Sequence, residues 1–332
     1  MLKQYKSVGI NDLLLLRSQY KVTDLGGVFE FMTTKSKVAG AFIGLAIGDA
    51  LGVPAEARDR GTFSVITTMI GGGRHNLPAG AWTDKTSAAI CLAKSLLATH
   101  DLDVYDFMER LRSWVHTGEN SSTGVCIGLD ENTHNVIENY TRTGSIELNL
   151  VDQRSDEDST LARCAPIACI HWDDLGAVSR ISKQQSYLTQ GSEVSASACE
   201  YLSLVLSHLI AGRAWDFIRN IPIGVDWSPK VKLVAGYGWK DKTIQDMKSS
   251  RLACDTLEAS LWCIETSDSF EQALIKAVNL VDPSDTLGAV TGQIAGALYG
   301  LESIPIHWFD QLAHIEKLTD IALQMVELSR TE

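Results

Sequence analysis

Proline is scarce, with 7 in 332 residues, and no run rich in Ser, Gly or Pro separates one half of the chain from the other. That leaves nothing to serve as a linker between two domains of ordinary size, so the sequence reads as one globular unit. The 7 cysteines are odd in number and none forms a Cys-x-x-Cys pair. A disulfide framework and a thiolate zinc site are both excluded on that spacing, and the residues read as buried thiols in a reducing compartment. The first residues, Met1-Leu2-Lys3-Gln4-Tyr5-Lys6, lack the apolar core of a signal peptide. No uninterrupted apolar run approaches the ~20 residues of a membrane span, so a cytoplasmic location away from membranes is expected. Basic charge is in deficit too. A net charge of −12 argues against nucleic-acid binding, which rests on a basic face. Period-2 alternation is nearly absent, and only short runs such as Phe63-Ser64-Val65-Ile66 could be extended.

Glycine, by contrast, is abundant and ordered. Gly40, Gly44, Gly48 and Gly52 recur every fourth residue, and Gly288, Gly292, Gly296 and Gly300 repeat the spacing near the other end. Positions four apart share one face of a helix. Each glycine inside a helix costs up to ~1 kcal/mol relative to alanine, so eight of them make sense only where two backbones must come close. Two bare stripes packed face to face predict the centre of an all-α domain, with the acidic residues at the helix ends held together.

Other helices follow from apolar spacing and caps. One runs through Ala89, Ile90, Leu92, Ala93, Leu96 and Leu97 with Thr83-Asp84 at its start, and a second runs from about Val104 to Val115. Another follows Ser192 as cap. Further helices are predicted from about Ser249 to Cys263, from Asp268 as cap to Leu280, and from about His307 to Leu328. Residues 118–165 read as irregular. Residues 1–37 carry an excess of basic residues against the acidic body. Within residues 1–34, Asn11-Asp12 caps a short leucine-rich stretch before Gly26-Gly27 breaks the chain. They form either an extra packing helix or an arm that engages a partner, with 35–332 as the main domain. Leu13, Leu16, Arg17, Tyr20, Phe29 and Phe31 are the anchors such an arm would offer.

At the helix ends stand Asp49 and Glu56, Thr83 and Asp84, Asp285 and Thr286. Carboxylate and hydroxyl oxygens suit Mg²⁺, Mn²⁺ or Ca²⁺ and not zinc, although each alone serves equally well as a helix cap.

Four stretches together resemble the ADP-ribosylglycohydrolase family over roughly residues 36–303: Gly40 to Glu56, Gly80-Ala81-Trp82-Thr83-Asp84-Lys85-Thr86, Arg163-Cys164-Ala165-Pro166-Ile167, and Asp285 to Gly300. The resemblance implies a helical orthogonal bundle around a central cleft. In the family that cleft holds two Mg²⁺ ions and hydrolyses the bond between ADP-ribose and a protein side chain, with carboxylates moving the protons. It assigns Glu56, Thr83, Asp84, Asp285 and Thr286 as metal ligands, Asp84 as the catalytic carboxylate of an active enzyme, and Asp158, Arg163 and Gln190 to the substrate cleft.

The chain departs from that pattern where the chemistry is densest. The family's Thr-Asp-Asp-Thr reads Thr83-Asp84-Lys85-Thr86 here, placing an ammonium where a ligand belongs. Gly-Gly-Asp-Thr-Asp-Thr reads Val281-Asp282-Pro283-Ser284-Asp285-Thr286, so Pro283 replaces a second ligand and Asp282 is the substitute within reach. Gly-Asn-Gly aligns with Glu157-Asp158-Ser159, Asp-Ile-Gly with Cys126-Ile127-Gly128, and Thr-His with Thr189-Gln190. Lys85 is expected to pair with Asp84 or Asp285 and hold the emptied site together. No cofactor, or weakly bound Mg²⁺ at most, is therefore expected.

The resemblance also reaches bacterial immunity proteins that carry an extension before the catalytic-like domain and plug the active site of a cognate ADP-ribosyltransferase toxin. An inhibitor of that kind needs affinity and not turnover, which frees its metal ligands to drift. The expected function is toxin binding. The alternative is an active hydrolase of ADP-ribosylated protein with a reduced or shifted Mg²⁺ site.

Overall fold

The computed structural model describes residues 26–147, 155–248, 250–280 and 283–329, with side chains from residue 33 onward. Its α-helices are α1 (Gly26–Gly52), α2 (Asp84–Thr99), α3 (Val104–Thr117), α4 (Glu131–Thr143), α5 (Ala165–His171), α6 (Leu175–Tyr187) and α7 (Glu193–Ile210). These are followed by α8 (Trp215–Ile218), α9 (Pro229–Ala235), α10 (Ala253–Glu265), α11 (Phe270–Val278), α12 (Ser284–Tyr299), α13 (Ile306–Gln311) and α14 (Ile315–Leu328). Among the described residues there is no strand, only the isolated bridges Gly72 with Leu77 and Glu157 with Leu252. The architecture is all-α, as the glycine pattern and the scarcity of strand signal predict.

At the centre α1 and α12 lie antiparallel with their glycine stripes in contact. A Cβ added at Gly40 would overlap the Gly296 carbonyl, one at Gly44 the Gly292 carbonyl and one at Gly48 the Gly288 carbonyl, and the reverse substitutions on α12 meet α1 in the same register. The register continues to Gly52, whose carbonyl accepts from the Ser284 hydroxyl at 2.7 Å. The C-terminus of α1 is thereby fixed against the N-terminus of α12. One continuous apolar core surrounds the pair, from Val38 to Val326.

The stretch Thr33–Ala55, 23 residues, is long and apolar enough to cross a membrane by length and composition. Lys35, Lys37 and Asp49 interrupt it as an apolar run. Its apolar window is wholly buried within the protein, so packing already uses the surface that lipid would cover.

Side-chain caps open six of the described helices. Asp103 accepts from the amides of Tyr105 and Asp106, Asp130 from that of Thr133, and Ser192 from those of Val194 and Ser195. Several expectations are corrected. The segment read as irregular contains α4, and the glycine pair Gly26-Gly27 opens α1 instead of breaking the chain, so the expected division after residue 34 falls inside a helix. Helix α10 begins at Ala253, and α11 is capped by Ser269, whose hydroxyl accepts from Gln272, and not by Asp268. The helix expected from His307 to Leu328 is two, because His314 adopts φ 49° and turns the chain between α13 and α14.

Candidate functional site

Antiparallel packing of α1 and α12 puts the last turn of α1 beside the first turn of α12, and the N-terminus of α2 meets them. That single junction gathers Asp49, Thr83, Asp84, Lys85 and Asp285, all buried. Carboxylates in the first turns of α2 and α12 face the positive ends of the helix dipoles, which favours Asp84 and Asp285 there.

Asp49 is consumed by the fold. It accepts from the Thr83 amide at 3.1 Å, the Thr83 hydroxyl at 2.8 Å, the Thr86 amide at 2.9 Å and the Thr86 hydroxyl at 2.7 Å. It therefore caps α2 from a different helix. Complete burial, reinforced by Asp285, pushes its carboxyl up to about 7 against these donors.

Lys85 sits among the carboxylates. Its Nζ lies 2.6 Å and 2.7 Å from the two oxygens of Asp84 and 3.5 Å from Asp285 Oδ2, so both expected pairings form. Burial works against the ammonium, but Asp285 and Asp84 together hold its pKa well above the usual lysine range. Burial raises Asp84 to about 6, with Lys85 opposing. At Asp285 burial is outweighed: Lys85 and the Thr286 amide, which donates to Oδ1 at 2.8 Å, hold the carboxyl below its ordinary value. The Thr83 hydroxyl completes the contact with Asp285 Oδ2 at 3.3 Å.

Glu56 follows the short helical turn Val53–Ala55 that Pro54 imposes after α1. Arg74, which the sequence reading passed over, reaches Glu56 Oε1 at 3.0 Å, while the buried Oε2 has no hydrogen-bond partner. Burial, then Asp285, pushes this carboxyl up to about 7. The segment carrying Arg74 is fastened from outside by Arg60, which donates to the carbonyls of Leu280 at 2.5 Å, Ile244 at 2.8 Å and Met247 at 3.2 Å. Gly128, at φ 82°, lies so close to Asp84 that an added Cβ would overlap the Asp84 carboxylate. Burial and the charge of Asp84 push the nearby Cys126 thiol up to about 12, which disfavours the reactive thiolate.

The three residues expected in a substrate cleft each hold partners within the protein. Asp158 accepts from the Thr256 hydroxyl at 2.6 Å, and burial raises it to about 7. Arg163 is 2% exposed. It donates to Gln185 Oε1 at 2.5 Å and Thr189 Oγ1 at 2.8 Å and lies over the Phe107 ring. These contacts fasten the turn before α5 to the end of α6. Gln190 donates to Asp130 and Ser159 and accepts from Asn132, joining α4 to the loop before α5. Leu13, Leu16, Arg17 and Tyr20 lie outside the described residues, as do Asp282 and the side chains of Phe29 and Phe31.

Mg²⁺ as implied by the resemblance does not fit this arrangement. The ammonium of Lys85 occupies the space between Asp84 and Asp285, and among the described residues no group of three His, Cys, Asp or Glu is placed to hold a metal.

The family model of the ADP-ribosylglycohydrolases matches residues 31–332. The ADP-ribosylarginine hydrolase Tri1 of Serratia proteamaculans is 35% identical over 301 residues, covering 89% of this chain and 80% of that protein. The ADP-ribosyl-[dinitrogen reductase] glycohydrolase of Rhodospirillum rubrum is 29% identical over 282 residues, covering 83% and 90%. Among solved structures, one described as an ADP-ribosylglycohydrolase-related protein complex superposes with a TM-score of 0.76 at 32% identity, covering 89% of this chain and 99% of that one.

Proposed function

The chain belongs to the ADP-ribosylglycohydrolase family, and from that premise we propose that it works by binding, as a cytoplasmic immunity protein that occludes a cognate ADP-ribosyltransferase toxin. The observation that carries this reading is Lys85. Its ammonium takes the position between Asp84 and Asp285 that hydrolysis by the family's chemistry needs for a divalent ion, whereas binding needs nothing there. Two further features support it. The family match leaves residues 1–30 outside, and this basic, leucine-containing segment stands where the extension stands in the immunity proteins that the sequence resembles. The 7 thiols, none of them in a disulfide, suit a reducing compartment.

The reading is tested by capture and inhibition. Full-length protein should co-purify a transferase from the source cell and inhibit its ADP-ribosylation activity at a one-to-one ratio. Replacing Leu13, Leu16, Arg17 and Tyr20 together by alanine should abolish both effects. Inhibition that survives this replacement would move the contact to the acidic body.

A second reading rests on the unpartnered buried oxygen of Glu56 and on the likeness to proteins named ADP-ribosylarginine hydrolases. Under it the chain removes ADP-ribose from modified arginine. Mg²⁺-stimulated release of ADP-ribose from an arginine-modified protein would replace the binding reading with this one.

A further inference from the structure

The junction of α1, α2 and α12 needs positive charge and already contains it. Asp84 and Asp285 project from helix starts into one buried space, where two bare carboxylates would repel across a medium that screens poorly. Lys85 follows Asp84 directly in the first turn of α2, so its four-carbon stem can fold back over that turn and set the ammonium between the two carboxylates. The contacts are asymmetric: two hydrogen bonds to Asp84 at 2.6 Å and 2.7 Å, and an ion pair with Asp285 at 3.5 Å. The weaker partner is made up by its own donors, the Thr286 amide and the Thr83 hydroxyl. Each carboxylate is thus satisfied without an ion from solution. Among the buried oxygens of the expected ligands, only Glu56 Oε2 lacks a hydrogen-bond partner, so a small dication that demands near-octahedral oxygen ligands would have to break the contacts just described.

We infer that Lys85 is the resident cation of this pocket, and that its ammonium both neutralises the Asp84–Asp285 pair and bars divalent ions from the site. A dication could enter only by expelling the ammonium from partners that hold it on two sides. The same oxygens would regain an ion-binding role once the lysine charge is removed. The inference concerns ions alone, so a failed toxin capture leaves it untouched, and its own failure would show in a measurement that involves no partner.

The test is thermal unfolding of the full-length protein in EDTA and in about 10 mM Mg²⁺ or Mn²⁺ at fixed ionic strength, since an ion that binds only the folded state must raise Tm. The unaltered chain should show no shift. Lys85→Gln, which keeps the stem and removes the charge, should melt lower in EDTA and gain a saturable Mg²⁺-dependent rise of ~2 °C or more. Lys85→Arg, which keeps the charge, should stay indifferent to both ions. A saturable rise in the unaltered chain overturns the inference, as does a Lys85→Gln protein that melts like the unaltered one and ignores Mg²⁺. Should Lys85→Gln fail to fold, the unaltered chain and Lys85→Arg still decide, because a response of either to Mg²⁺ is incompatible with a resident ammonium.

Discussion

Asp49 receives two amides and two hydroxyls from Thr83 and Thr86, which makes it the peg on which α2 hangs. Replacing it by alanine strands these donors in a dry junction, where each unsatisfied group costs about 1–3 kcal/mol. Asp49→Ala should therefore lower unfolding free energy by ~3 kcal/mol or more in urea titration. Asp49→Asn, which keeps one acceptor oxygen, should fall between. A loss below about 0.5 kcal/mol for the alanine variant, the range of ordinary surface changes, would show that water replaces the carboxylate. At this scale the acidic and hydroxyl residues that sequence places at helix ends include Asp49, Thr83, Asp84 and Asp285, which the fold brings into one junction. The chemistry of oxygen ligands is visible in residue types, and the Lys85 pairing is visible in the break of a motif. That Arg163 and Gln190 point into the scaffold is not visible, because their partners Gln185, Thr189, Asp130 and Ser159 come from helices whose mutual placement no local pattern encodes.

Helix propensity and helix packing make opposite demands on α1 and α12. By propensity alone, Gly→Ala inside a helix stabilises by up to ~1 kcal/mol. At Gly44 and Gly292 the added Cβ would overlap the facing carbonyl, and backbone atoms cannot give way as a side chain would. Gly292→Ala should therefore destabilise by at least ~3 kcal/mol, as overpacking does in its severe cases. Unfolding by urea reads the sign directly, and any gain in stability would mean that the helices are farther apart than their register implies. The stripe was legible because its period repeats at both ends of the chain, and antiparallel contact between the stripes puts the acidic ends of α1 and α12 in one place. The break between α13 and α14 was not legible, since it turns on φ 49° at His314, a residue with no strong turn preference. Helix α4 was missed for another reason: its sequence is mostly polar, and its cap Asp130 lies among glycines that read as loop.

The whole molecule carries a net charge of −12 and yet buries several of its carboxyls, and the two facts meet in its response to pH. Burial is the leading cause in each of four cases: Asp49 and Asp158 rise from 3.8 to about 7, Glu56 from 4.5 to about 7, and Asp84 from 3.8 to about 6. The folded chain thus holds protons that the unfolded chain has released. The stability these groups contribute is complete below their unfolded pKa and is lost as pH rises through about 6 to 7. Asp285 runs the other way: its depressed carboxyl contributes stability present above 3.8 and lost only in stronger acid. The exposed His75 and half-buried His208, both lowered by burial, oppose the trend from about 6.5 downward, but imidazoles so accessible to water carry less weight than carboxyls sealed in the core. The protein should accordingly melt at a higher temperature at about pH 6 than at about pH 8. Asp158→Asn should narrow that gap, because the amide cannot ionise and the Thr256 hydroxyl at 2.6 Å still finds an oxygen. Calorimetry across the two pH values decides it. A Tm that rises with pH would mean these carboxyls are ionised and compensated in the folded state, while a gap unmoved by Asp158→Asn would assign the proton uptake to the junction of Asp49, Glu56 and Asp84 alone.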